Sequence, residues 1–168
     1  MKVRLLNGTH SLIAYLGALS GVGTIPEAIG LDGIESAARA VLRDEYEPSI
    51  EVPSGVDIRA YESELFERWA NSALGHRTSQ VGTDGSVKLR QRIPEPAMLA
   101  IRNGGMPHLI ALTVAGYLSC LAPLPGFDPG PHAAAMTDGA RERLAGYAAS
   151  ARDGRELAQR VIGELHLF

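Results

Sequence analysis

Apolar residues in this chain recur at helical spacing, and no stretch alternates in the two-residue period that a half-buried strand requires. Glycine and proline cut the helical pattern into short pieces. The spacing predicts helices over about His10–Ser20, Pro26–Ile29, Glu35–Glu47, Ile58–Trp69, Ala97–Arg102, His108–Leu121, Thr137–Ser150 and Gly154–Leu165. Two turns, Thr78–Thr83 and Ser86–Arg92, add shorter helical pieces joined at Asp84-Gly85. This is an all-α pattern of about seven or eight main helices. With 168 residues it fits a single multi-helical domain large enough to bury a real core.

Several local signals support these bounds. Asp57 is placed to cap the Ile58 helix, and Tyr61, Leu65 and Trp69 form a stripe at i, i+4 and i+8 that reads as core. The most apolar segment, LIALTVAGYLSCL within His108–Leu121, reads as the central buried helix. The run from Pro123 to Pro131 cannot be regular structure and reads as an ordered loop. Acidic Asp44, Glu45 and Glu47 read as a solvated face. Gly17, Gly21 and Gly23 follow a helical segment rather than a strand, so they read as a helix stop and turn, not as a dinucleotide fingerprint.

Composition narrows the function classes. A net charge of −3 and a pI near 5.9 give no basis for nucleic-acid binding. The apolar runs are interrupted too early to span a bilayer. The single cysteine, Cys120, cannot form an internal disulfide, which agrees with a reducing cytoplasm, and it lies in an apolar run as a small core residue does. Histidines and carboxylates show no compact metal-ligand spacing, so no metal is expected.

Chemistry gathers at the start of the chain. Lys2, Asn7 and His10 precede the apolar run Leu12–Leu16, and Asn7 and His10, three apart, share one face of a helix. A lysine amine can act as general base or acid when burial lowers its pKa. An amide and an imidazole beside it can hold a hydroxyl or carbonyl oxygen by hydrogen bonds. The plainer reading makes Asn7 a helix N-cap, His10 an ordinary first-turn histidine and Lys2 a solvated terminal lysine. Spacing alone leaves both open.

The wider context, KVRLLNGTHSLIAYLG, resembles the polyol-specific long-chain dehydrogenase/reductase family, which includes mannitol 2-dehydrogenase and fructuronate reductase (mannonate oxidoreductase). A second segment agrees: Arg68-Trp69-Ala70-Asn71, then His76-Arg77-Thr78-Ser79-Gln80, then Asp84-Gly85-Ser86-Val87-Lys88-Leu89. It looks most like the fructuronate reductase branch. The resemblance covers nearly the whole chain, but only the C-terminal half of such an enzyme. It implies a C-terminal helical substrate domain of the 6-phosphogluconate-dehydrogenase-like type, with an N-terminal Rossmann domain absent from this chain.

What the resemblance implies about the site follows residue by residue. Lys2 takes or returns the hydroxyl proton while Asn7 and His10 hold the oxygen, and no metal is needed. Lys88 binds substrate. Gln80, which with Lys88 orients the rest of the substrate, stands where mannitol dehydrogenases carry an arginine, and the loss of that arginine speaks against mannitol; Thr83 stands where some relatives have histidine. A uronate needs a cation for its carboxylate; Lys88 is the natural candidate and Arg77 a weaker one. The implied reaction is reversible oxidation of D-mannonate to D-fructuronate with NAD or NADP, the cofactor bound mainly by a Rossmann domain in cis or in trans. Mannitol, altronate or arabinitol 2-dehydrogenase is the alternative within the class. A non-catalytic helical module that keeps the fold and self-associates is the alternative outside it.

Overall fold

The computed structural model describes the backbone of residues 2–164 and the side chains of residues 5–163. Among the described residues the chain is all-α; the one antiparallel bridge, Thr24 with Arg77, belongs to no strand. The described residues form eleven α-helices, more than the seven or eight expected: α1 (Lys2–Leu19), α2 (Ile25–Ile29), α3 (Asp32–Ala40), α4 (Ile58–Ala70), α5 (Thr78–Gly82), α6 (Gly85–Arg92), α7 (Pro94–Arg102), α8 (His108–Leu121), α9 (Gly130–Ala134), α10 (Arg141–Ser150) and α11 (Gly154–Glu164). The expected end of α11 at Leu165 lies outside the described residues.

The central helix is α1, not α8. Leu5, Leu12, Ile13, Ala14, Tyr15 and Ala18 of α1 are all buried, as are the hydroxyl-bearing Thr9 and Ser11. The helices α2, α3, α5, α6, α8 and α9 pack around it. On α8 only one side is covered, through Ile110, Thr113, Tyr117, Cys120 and Leu121, while Ala111, Leu112 and Ala115 face outward. How many neighbours cover a helix, not its own hydropathy, decides its burial. Cys120 is buried in the core, as its setting suggested.

α1 begins about two turns earlier than the sequence reading placed it. Asn7 is therefore interior to the helix and is not its N-cap; its carbonyl accepts from Ser11 Oγ at 3.1 Å. The buried Leu5 supplies the extra anchor, which outweighs the few tenths of a kcal/mol that asparagine costs inside a helix. Gly17 is no helix stop either. It lies within α1, where an added Cβ would come within 2.5 Å of Ala28 Cβ, so it lets α2 pack closely; Gly21, with φ +79°, makes the turn.

The expected helix 35–47 changes character midway. After α3 the backbone widens into a π-helical segment, Val41–Tyr46, then a 3-10 turn, Glu47–Ser49. This aims Tyr46 at α1, where its ring end would meet a Cβ on Gly8 at 2.5 Å. It also turns Glu45 towards α8, whose first N–H groups at Leu109 and Ile110 donate to its carboxylate at 2.9 and 2.6 Å. An anion at a helix N-terminus satisfies donors that have no intrahelical partner. Glu45 and Glu47 are thus structural rather than merely solvated, since Glu47 pairs with Arg59.

α4 starts where expected, with Asp57 Oδ1 accepting from the N–H groups of Arg59 and Ala60. Its Glu62, only 2% exposed, receives Arg43 at 2.9 Å, Arg59 at 2.7 Å and Arg39 at 3.3 Å. Arg39 also pairs with Glu35 and Arg59 with Glu47, so three arginines face three glutamates. Burial pushes the Glu62 pKa up, but the hydrogen bond and charge of Arg43, with Arg59 and Arg39, bring it below the usual value. This network ties α3 and its π-helical extension to α4.

Three other bounds move for identifiable reasons. Pro94 and Pro96 sit in the first turn of α7, extending it back from Ala97. Gly130 and Pro131 open α9 inside the stretch read as loop. α10 begins at Arg141 because Asp138 is engaged elsewhere: its carboxylate accepts from the N–H groups of Ala140 and Ser86, both at 2.8 Å, and from Tyr117 Oη at 3.1 Å.

Candidate active site

With 100° per residue, Lys2, Asn7 and His10 fall within an arc of about 140° on α1. The Lys2 side chain lies outside the described residues. Its backbone belongs to the first turn of the helix rather than to a segment leading into it.

His10 is the best-defined member of the set. Its ring stacks on Trp69 of α4 at 5.7 Å between centroids and lies 6.0 Å from the His76 ring. Its Nε2 is buried, with no hydrogen-bond partner among the described residues. Burial, then the charges of His76, Arg92, Arg68 and Lys88, push its pKa down to about 3. At neutral pH the imidazole is therefore uncharged, able to donate from one ring nitrogen and accept at the other. Trp69, read from sequence as core, is buried but also forms a wall of this site.

Lys88 is held one helix away. α6 begins at Asp84, whose φ of +58° is left-handed, and at Gly85, where a Cβ would lie 2.4 Å from both the Tyr117 ring and Tyr15 Oη. That close approach seats α6 directly against α1 and α8. Ser86 N–H bound to Asp138 and Tyr15 Oη donating to the Gly82 carbonyl fix the α5–α6 joint. Lys88 is half-buried, and its Nζ donates to the Val81 carbonyl at 3.1 Å. Burial and Arg92 lower its pKa, against an opposing pull from Asp84 and Asp138.

The sequence reading did not single out Arg92. It lies in the last turn of α6, one turn after Lys88, and is half-buried. Its Nη1 donates to Ser11 Oγ at 2.5 Å, and burial lowers its pKa. Among the described residues it has no carboxylate partner. The signal was present as a Lys-x3-Arg pair on a short helix, but nothing local marks such a pair as buried.

The remaining candidates are placed less tellingly. Asn7 is partly buried, on the same face as Ser11. Gln80 is on the exposed side of α5. Arg77 is exposed and its backbone bridges Thr24. Thr83 is structural: its Oγ1 donates to the Ser79 carbonyl and accepts from Thr137 N–H. Among the described residues, no three His, Cys, Asp or Glu groups converge as metal ligands, and no helix is long and apolar enough to cross a membrane.

Residues 1–124 match the model of the mannitol dehydrogenase C-terminal domain. D-mannonate oxidoreductase of Escherichia coli K12 is 44% identical over 118 residues, covering 70% of this chain and 24% of that protein. Mannitol 2-dehydrogenase of Aspergillus niger is 27% identical over 167 residues, covering 99% of this chain and 33% of that one. The structure of Pseudomonas fluorescens mannitol 2-dehydrogenase, a ternary complex with NAD and D-mannitol, superposes with a TM-score of 0.82 at 26% identity, over 98% of this chain and 33% of its own. The chain thus spans about a quarter to a third of the length of these relatives. With the sequence match and the helical architecture in agreement, the chain belongs to the mannitol dehydrogenase C-terminal domain family.

Proposed function

We propose that this chain is the substrate-binding and proton-transferring part of an NAD(P)-dependent oxidoreductase that interconverts D-mannonate and D-fructuronate. The observation that carries the reading is the site's charge: a neutral His10 with an unpartnered Nε2 is surrounded by Lys88, Arg92, Arg68 and His76. The identity to D-mannonate oxidoreductase supports the acid over a neutral polyol.

In oxidation the alcohol C–H and O–H bonds break and a C=O bond forms. Lys2 Nζ takes the hydroxyl proton, and returns it in reduction. His10 and Asn7 hold the oxygen through hydrogen bonds while charge develops on it. Lys88 and Gln80 orient the rest of the sugar acid. The hydride acceptor in oxidation, and its donor in reduction, would be a nicotinamide cofactor held by another domain. The described residues have no strand–glycine-turn–helix cradle for its pyrophosphate and do not fit the dinucleotide. Residues 1–168 then act as one helical domain beside a separate cofactor domain, in cis or in trans, in the cytoplasm.

The test is NAD(P)H consumption with D-fructuronate, measured on the protein in which these residues accompany their cofactor domain. Lys2→Met lowers kcat by roughly a hundredfold or more with little change in KM. Unchanged kcat in Lys2→Met removes Lys2 from the chemistry, and saturable turnover by the isolated chain removes the need for a second domain. One feature favours an association module instead: an apolar groove of about 200 Å³ between α8 and α11, lined by Ile110, Val114, Leu118 and Ile162. Self-association without sugar binding is the outcome that supports it.

A further inference from the structure

We infer that Arg92 is the residue that anchors the substrate's carboxylate and so selects a sugar acid over a neutral polyol. The inference rests on the reading of the site as a sugar site. It goes beyond it by assigning the acid-selecting role to a residue that neither the sequence pattern nor the comparisons single out.

A half-buried guanidinium has shed part of its water, and proteins normally repay that with a carboxylate. Elsewhere in this chain they do: Arg39, Arg43 and Arg59 all reach Glu62. Among the described residues Arg92 instead has one hydrogen bond, to the neutral hydroxyl of Ser11. A guanidinium carries five N–H donors in a planar fork. One bond from Nη1 leaves most of that fork uncommitted, and a carboxylate is the group whose geometry matches it.

Position supports the same conclusion. Ser11 follows His10 directly, and its Oγ donates to the carbonyl of Asn7, so Arg92 stands at the edge of the face that carries Asn7 and His10. Lys88 lies four residues earlier on α6, on the same side of that helix. The Lys88 amine is turned to the Val81 carbonyl, which leaves it a point charge beside the site. Nearby, Tyr46 Oη is a second buried polar atom without a partner. A sugar acid offers hydroxyls to such groups and a carboxylate to the fork.

Trp69 provides the readout. It is the only tryptophan in the chain and stacks on His10, so its fluorescence reports a ligand entering there without any turnover. The probes are D-mannonate and D-mannitol, which differ in a carboxylate against a hydroxymethyl group. Titrated into the intact chain, mannonate binds more tightly than mannitol. Arg92→Met weakens mannonate roughly ten- to a hundredfold and leaves mannitol within about twofold, because a charge-assisted bidentate contact is lost. Arg92→Lys keeps the charge without the fork and falls between, which also covers the case in which the methionine variant fails to fold. Equal weakening of both ligands in Arg92→Lys means that Arg92 merely holds α6 to α1, and overturns the inference. Unchanged mannonate affinity overturns it too. If the unaltered chain binds mannitol as well as mannonate, the anchor fails while the sugar site stands; if it binds neither, both readings fail together.

Discussion

α4 carries two buried residues seven positions apart that look onto opposite electrostatic settings. Glu62 lies in a closed network in which three arginines meet three glutamates. Trp69 stacks on His10, whose imidazole feels the charges of Lys88, Arg92 and Arg68, and among the described residues no carboxylate is bound to Arg92. The first arrangement needs nothing from outside the chain. The second holds Lys88 and Arg92 part-buried, and in the proposed site the substrate's carboxylate supplies the countercharge to Arg92. On the proposed reading, stability and binding use the same residue types in neighbouring parts of one fold, and what separates them is whether the countercharge is part of the chain.

The comparison breaks most visibly at Glu62. Glu62→Gln leaves Arg39, Arg43 and Arg59 crowded around a neutral amide and costs about 3 kcal/mol of unfolding free energy, as loss of one partner from a buried ion pair does. Urea denaturation measures it, and mannonate binding by the folded fraction stays as before. A cost under about 1 kcal/mol would mean that the network is a surface ornament.

Next comes the joint that seats Lys88. Gly85→Ala forces a methyl group to within 2.4 Å of the Tyr117 ring and Tyr15 Oη, costing about 2 kcal/mol and shifting α6. Mannonate affinity falls along with stability, unlike in Glu62→Gln. Loss of stability with affinity intact would detach α6 from the site.

His10 sharpens the contrast through pH. Burial pushes its pKa down to about 3 in the folded protein, against the ordinary 6.5 of histidine, so between these values the unfolded chain takes a proton that the folded one refuses. The stability is fully present above pH 6.5 and is lost as pH falls towards 3. By pH 5 the loss amounts to about 2 kcal/mol. His10→Gln lacks this component, and unfolding curves at pH 8 and pH 5 measure the difference. An identical pH slope in the variant would contradict a buried, neutral His10.

The smallest effect has the opposite sign. Lys88→Met removes a part-buried cation from a site already rich in them, and stability rises or stays within about 1 kcal/mol while mannonate binding weakens. Destabilisation well beyond that would give Lys88 the structural role that Glu62 has.

What was legible in the sequence was local. The bounds of α8, the Asp57 cap and the helical class rest on spacing within one or two turns. The start of α1 was misread because Asn7, Gly8 and Thr9 look like a cap, whereas burial of Leu5 by distant helices extends the helix. The π-helical segment followed the same rule: Glu45 is drawn to α8, 64 residues ahead. Arg92 escaped because its partner, Ser11, is 81 residues away, and its want of a carboxylate is a property of the assembled fold. Resemblance supplied Lys88 and Gln80; no local pattern distinguishes either from an ordinary surface residue.

A face of α1 and α6 built for a sugar acid must tell a carboxylate from a hydroxymethyl group. The most direct measurement is kcat/KM for D-mannonate against D-mannitol, made on the protein in which these residues accompany their cofactor domain. The expected result is a preference for mannonate of about tenfold or more, lost in Arg92→Met. Equal efficiency on the two substrates, or a preference for mannitol, would contradict it.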